Sequence, residues 1–282
     1  MKRTALTTLL LMNVALGGCA TMKPAEYDPG HSRAYNIARA GGLHQVKDRT
    51  IPRADYEALN AAVDATANTL SLTSSHGLGL SLGKGLAAGV LLTALKPEGN
   101  AERNSLIAWM PANEASSAKE AQQAMIAYAK SAVERTLSDF DTAYKLVYEK
   151  NGVLIHNLYN SDWGCPEWVS GQTTGSDMCN IRTQIIKPRK TPAPTFINET
   201  TDAMTYAFKS GKPSKYNSIR IRNGNASRIP QAALYERLSQ HLPAWTFLYQ
   251  APGKVATESG ETINFPHLLE KGNIELFVYP AE

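Results

Sequence analysis

Cysteine is scarce, aromatics are few and charge is low. The chain has 3 cysteines in 282 residues, with 8% aromatic and 19% charged side chains. So few cysteines exclude a disulfide-dense miniature scaffold and a cysteine-rich metal domain. Basic and acidic residues nearly balance at 29 against 25. No block of one sign stands out, which argues against a nucleic-acid binder. No repeat of fixed period is present, so a solenoid or propeller is not expected. The chain lacks an HExxH, a CxxC and a G-x-x-x-x-G-K-[ST] frame, and the 6 histidines are scattered. These gaps remove the commonest metal, redox and phosphate-loop chemistries, and no cofactor is expected. What remains is a chain that is 43% apolar and long enough to bury a sizeable core.

The first 19 residues carry the clearest signal. Met1-Lys2-Arg3 is a short basic start, and residues 5–16 form an apolar run broken only by Thr7, Thr8 and Asn13. That run is too short for a spanning helix, which needs about 20 residues. A basic start, an apolar stretch and small residues before a cleavage point describe an export signal over residues 1–18. The ending Leu16-Gly17-Gly18-Cys19 resembles the lipobox of bacterial lipoproteins. The resemblance implies cleavage before Cys19, a thioether-linked diacylglycerol on its sulfur and an N-acyl chain such as palmitate. Ala20 follows, where an Asp would favour retention at the inner membrane in that family. The resemblance therefore implies an outer-membrane anchor, with the mature part facing the periplasm.

Cys165 and Cys179 are the other two cysteines. An oxidising compartment favours their pairing. The alternative is a nucleophilic Cys165 with His156 nearby in sequence, but no cysteine-peptidase signature surrounds it.

The pattern divides the mature chain. Residues 19–53 are polar and read as a tether. Residues 54–186 read as a mainly helical domain with a disulfide loop. Within it, spacing predicts helices over 54–72 and 117–150, the second a long amphipathic helix. Ser117 and Glu120 form a capping box at its start, and Asn151-Gly152 is read as its stop. The i,i+4 pairs Lys130–Glu134 and Asp141–Lys145 would lie on its polar face. A strand is expected over 153–159. Residues 187–194, with Pro188, Pro192 and Pro194, read as a connector. Residues 195–282 read as a small α+β domain. There a helix is expected over 200–210 and another over 231–241, with strands over 218–222, 245–249 and 274–279. The fold class expected is α+β: a helix-rich N-terminal region, then a small mixed domain.

Three segments invite a chemical reading. Gly79-Leu80-Ser81-Leu82-Gly83 matches G-x-S-x-G, which places a nucleophilic serine at a strand-to-helix turn. The flanks are not strand-like, and His156, His241 and His267 compete for the role of base. The same stretch, residues 77–95, has a single charge, Lys84, and small residues at 77, 81, 85 and 89. It reads as close helix packing or as membrane or oligomer contact. Trp245, Phe247 and Tyr249 are either a strand's core face or a sugar-stacking platform. Lys187, Arg189 and Lys190 are a small basic cluster facing solvent, lipid or a partner. The leading expectation is a non-enzymatic, lipid-anchored envelope protein with a structural or binding role and envelope protein partners. Its rivals are a lipid-anchored serine hydrolase using Ser81 and a peptidoglycan-binding module.

Overall fold

The computed structural model describes residues 23–67, 98–167, 178–197, 204–212, 215–224, 226, 228–257, 260–264 and 266–281. Strands dominate these residues, which overturns the helix-rich expectation. Cys19, Ser81 and residues 77–95 lie outside them.

Two sheets organise the fold. The larger has six strands in the order β13 (Asn273–Leu276), β12 (His267–Glu270), β9 (Thr246–Gln250), β2 (Ser105–Pro111), β7 (Met204–Phe208) and β6 (Arg189–Pro192), all neighbours antiparallel. The smaller is antiparallel too, in the order β3 (Ala143–Lys150), β4 (Val153–Tyr159), β5 (Asn180–Gln184) and β8 (Ser218–Arg222). Two ribbons complete the set: β1 (Arg49–Ile51) with β14 (Val278–Pro280), and β10 (Gly253–Thr257) with β11 (Gly260–Asn264). Four α-helices are described: α1 (Arg33–Ala40), α2 (Arg53–Ala67), α3 (Ala118–Asp139) and α4 (Gln231–His241).

The six-stranded sheet separates two cores because strand side chains alternate between faces. On one side, Leu106, Ala108 and Met110 of β2 meet α3, α4 and the inner face of the smaller sheet. On the other, Ile107 and Trp109 meet Ile37 and Ala38 of α1 and Phe277. Asn217 ties the two sheets together: its carbonyl accepts from Leu106 N at 2.9 Å and its side-chain oxygen from Ile186 N at 2.8 Å.

Several expected elements are corrected. The helix begins as read, Ser117 Oγ accepting from Glu120 N at 3.2 Å. It does not run to residue 150. It stops at Asp139, where Asp141 adopts a left-handed φ of 46° and Thr142 N reaches back to Leu137 O at 2.9 Å. Residues 143–150 are β3 instead. Asn151 and Gly152, both with positive φ of 54° and 76°, form the two-residue turn of the β3–β4 hairpin, the backbone such a tight turn demands. A Cβ on Gly152 would sit 2.2 Å from Ile185 O, so glycine is required there. Lys130 of α3 consequently pairs with Glu149 of β3, at 2.9 Å.

Residues 204–208 are strand β7, not the expected helix, and residues 189–192 of the expected connector are edge strand β6. The expected tether is also folded. Ser32 caps α1 by accepting from Tyr35 N at 3.1 Å, and Ala34, Ile37 and Ala38 are fully buried.

Candidate binding surface

The sequence-derived site residues that are described do not converge. Cys165 and Cys179 form a disulfide with Cα atoms 5.6 Å apart. Both are buried in the first core, which removes Cys165 as a nucleophile. His156 on β4 is fully buried, and neither ring nitrogen has a hydrogen-bond partner among the described residues. Burial, with the nearby Lys130 ammonium, pushes its pKa down to about 4. His241 meets Asp139 at 2.6 Å across the ends of α3 and α4. His267 lies on β12, opposite Gln250 and Leu276. Among the described residues, no group of three or more His, Cys, Asp or Glu could hold a metal ion, and no helix is long and apolar enough to cross a membrane.

Trp245, Phe247 and Tyr249 do not form a platform. Phe247 and Tyr249 are buried in the second core, whereas Trp245 packs against the first and donates to Glu114 at 3.1 Å. Alternation sets Phe247 and Tyr249 on one face of β9, whereas Trp245 precedes the strand and is turned to the other core.

Sequence reasoning passed over His31, Ser32 and Asp48. His31 Nδ1 lies 3.3 Å from Asp48, an arrangement reminiscent of a catalytic dyad. The adjacent hydroxyl, Ser32 Oγ, is engaged as the cap of α1, and Ser32 N donates to Asp48 at 2.7 Å. Burial raises the Asp48 pKa against these hydrogen bonds. The trio therefore fastens the start of α1.

The face of the smaller sheet turned away from the first core is the most chemically distinctive: Lys145, Tyr148, Lys150 and Arg222 on it are exposed, Arg182 and Arg220 are half-buried, and Asn157, Asn180 and Ser218 are buried. Cross-strand register places three rows side by side: Lys150, Val153, Gln184 and Ser218; Tyr148, Ile155, Arg182 and Arg220; Lys145, Asn157, Asn180 and Arg222. Five of these side chains are cationic and none is a carboxylate. Glu149, which sits between two of the cations in sequence, points to the other face and holds Lys130. Arg182 and Arg220 stand directly opposite each other, a like-charge pairing that disfavours the sheet. Among the described residues, no ion pair engages Lys150, Arg182, Arg220 or Arg222. Among the described residues, the buried Nε atoms of Arg182 and Arg220 have no hydrogen-bond partner, nor do the Asn157 amide and the Tyr159 hydroxyl. Tyr216 lies alongside, its ring 5.9 Å from the Arg220 guanidinium and 3.6 Å from that of Arg103.

Part of this face was legible in sequence. The alternation at 218–222 put Arg220 and Arg222 opposite Ile219 and Ile221. Lys145 and Lys150 were hidden by the helical reading of 143–150, although Asn151-Gly152 between two β-rich runs is a hairpin signal. Chemically, the face offers planar guanidinium forks for carboxylates or phosphates. Among the described residues, the three rows carry no carboxylate. No known protein family, curated protein or solved structure matches this chain.

Proposed function

We propose that this protein is exported, acylated at Cys19 and held at the outer membrane, where it serves an envelope assembly by binding rather than by catalysis. The outer face of the β3-β4-β5-β8 sheet is the binding surface, and its partner is an acidic protein segment. The observation that carries this reading is the cationic grid itself. Arg182 and Arg220 face each other across paired strands with no carboxylate among their described strand neighbours on that face. A fold tolerates such repulsion where an anion relieves it, and Arg forks pair bidentately with carboxylates. The buried Cys165–Cys179 disulfide supports an oxidising, extracytoplasmic compartment. The sequence before Cys19 supports the anchor.

Acylation has a direct test. Cys19→Ser is expected to leave the precursor unprocessed and without incorporated palmitate, whereas wild type releases a mature chain with a lipid-modified N-terminus. An unmodified wild-type N-terminus in mass spectrometry overturns the anchor.

The binding surface is tested by crosslinking in intact envelopes with a photoreactive residue at Tyr148. Wild type is expected to capture an acidic protein. Arg182→Glu/Arg220→Glu/Arg222→Glu is expected to lose that adduct, with the melting transition preserved. An adduct that survives the triple reversal refutes the assignment. A serine-directed fluorophosphonate that labels Ser81 stoichiometrically replaces it with hydrolase chemistry.

A further inference from the structure

We infer that the corner formed by β6 and residues 23–27 is a second, separate surface, which rests directly on the anionic headgroups of the membrane carrying the lipid anchor. This rests on the acylation of Cys19 proposed above and adds an orientation to it.

The first observation is the length of the leash. The expected tether ran to residue 53, long enough for the body to stand away from the membrane. The folded chain begins much earlier. Thr195 N donates to Ala25 O at 3.0 Å, and Asn36 fixes Asp28 through its N–H at 2.8 Å and its carbonyl at 2.9 Å. Only six residues lead from Cys19 to Ala25. At about 3.5 Å per residue, that leash spans at most about 20 Å. The protein is therefore held close to the lipid, with the Ala25–Thr195 contact nearest the point of attachment.

The second observation is what surrounds that contact. Thr195 lies three residues beyond β6, the outermost described strand on that side of the six-stranded sheet. Lys187, Arg189 and Lys190 are all exposed there, and so is Lys23. Arg189 and Lys190 project to opposite faces of the sheet, since they register with Ala207 and Tyr206 of β7. The edge therefore presents charge on both flanks. Lys209 adds a further exposed cation close to Arg189. Across residues 23–27 and 187–195, the only carboxylate is Glu26.

The third observation is apolar. Tyr27 is 43% exposed and meets Phe196 edge-on at 5.7 Å, and Met204, opposite Pro192 on the neighbouring strand, is 41% exposed. Amphipathic aromatics beside cations suit the boundary between headgroups and acyl chains. A stripe of cations suits the negative potential of an anionic leaflet. A lysine-bearing edge strand also blocks sheet-to-sheet aggregation, but that role needs neither the exposed aromatics nor the anchor beside it.

The test uses the mature, acylated protein reconstituted into vesicles of phosphatidylethanolamine and phosphatidylglycerol. Lysine reactivity is read by pulse labelling with an amine-reactive ester and mass spectrometry. Lys23, Lys187 and Lys190 are expected to be protected relative to the detergent-solubilised protein by about fivefold, the factor an anionic surface confers on one nearby cation. Lys119 and Lys150 should label equally in both states. Protection should disappear in phosphatidylcholine vesicles and at about 1 M salt, where the screening length falls to about 3 Å. In Lys187→Glu/Arg189→Glu/Lys190→Glu, Lys23 should lose its protection while the anchor still holds the protein on the vesicle. The same spectra report the N-terminal peptide, so the two readings fail separately. An acylated Cys19 with uniformly reactive lysines overturns the orientation and leaves the anchor standing. An unmodified Cys19 overturns both. Protection that persists in phosphatidylcholine and high salt overturns the electrostatic contact.

Discussion

Removal of the Cys165–Cys179 bridge is expected to cost about 3 kcal/mol of folding stability. The two cysteines are separated by 14 residues, and the chain-entropy account assigns about that amount to a closed loop of this size. The location makes the loss global. Cys165 lies in the loop that follows β4, where its N–H donates to Asn160 O at 3.0 Å, and Cys179 immediately precedes β5. Leu158 N donates to Cys179 O at 2.9 Å, so the bridge closes the junction of two paired strands. Both residues belong to the first core, alongside Leu158 and Ile181. Alanine is the appropriate replacement, because serine would add buried hydroxyls to the loss of the bond. Denaturant unfolding of Cys165→Ala/Cys179→Ala should show a lower midpoint with little change in slope. Treatment of wild type with a reductant during unfolding should reproduce the variant. Equal midpoints for the oxidised, reduced and doubly substituted proteins would contradict a structural bridge.

Local signals were readable where side-chain chemistry acts over a few residues. Ser117 caps α3 because its hydroxyl reaches the Glu120 N–H. Glu120 turns back to Ser116 N at 3.0 Å rather than to the cap residue itself. The alternation at 218–222 likewise matches β8, with Ile219 and Ile221 buried and Arg222 exposed. The errors arose where two periodicities coincide. Phe140, Tyr144 and Val147 continue a three-to-four residue spacing beyond Asp139, so sequence pattern alone extends the helix. The chain instead breaks at Asp141, whose left-handed φ of 46° suits a short polar side chain. On that spacing Asn151-Gly152 reads as the end of a helix, although the same dipeptide is the strongest short hairpin signal.

Long-range pairing was beyond such a reading. Pro188, Pro192 and Pro194 suggest an extended connector, and the backbone is indeed extended there. Nothing nearby in sequence reveals that β7 supplies a partner strand for residues 189–192. Proline is tolerated in that position because β6 is a sheet edge. The cationic face has the same character. Lys150, Arg182 and Arg220 come from three separate strands, and only the register of the sheet brings them onto one surface.

His156 is expected to make folding stability fall steeply as the medium is acidified from about pH 6.5 to about pH 4. The side chain lies on the inner face of β4, fully buried. Glu134 lies 3.7 Å from its Nε2 and the Tyr144 ring centroid 5.9 Å from its own, with Lys130 and Glu149 contributing charge from α3 and β3. Burial disfavours the imidazolium most, Lys130 adds repulsion, and Glu149 opposes both, so the folded pKa is lowered from 6.5 to about 4. In this window the unfolded chain binds a proton that the folded chain refuses, and acidification therefore favours unfolding. Above the unfolded pKa both states are neutral and the effect vanishes. Below the folded pKa it saturates at about 3 kcal/mol, since each tenfold difference in proton affinity is worth about 1.4 kcal/mol. The checking experiment compares wild type with His156→Leu by denaturant unfolding at about pH 7.5 and about pH 4.5, where about 2–3 kcal/mol of the linkage should already be expressed. Carboxylate titrations elsewhere affect both proteins alike, so the difference between their pH slopes isolates the histidine. His156→Leu should lose less stability on acidification by that amount, while Lys130→Gln should shift the midpoint of the wild-type decline to higher pH. Parallel slopes for wild type and His156→Leu would show that the imidazole is charged and solvated in the folded protein, against its burial beneath α3.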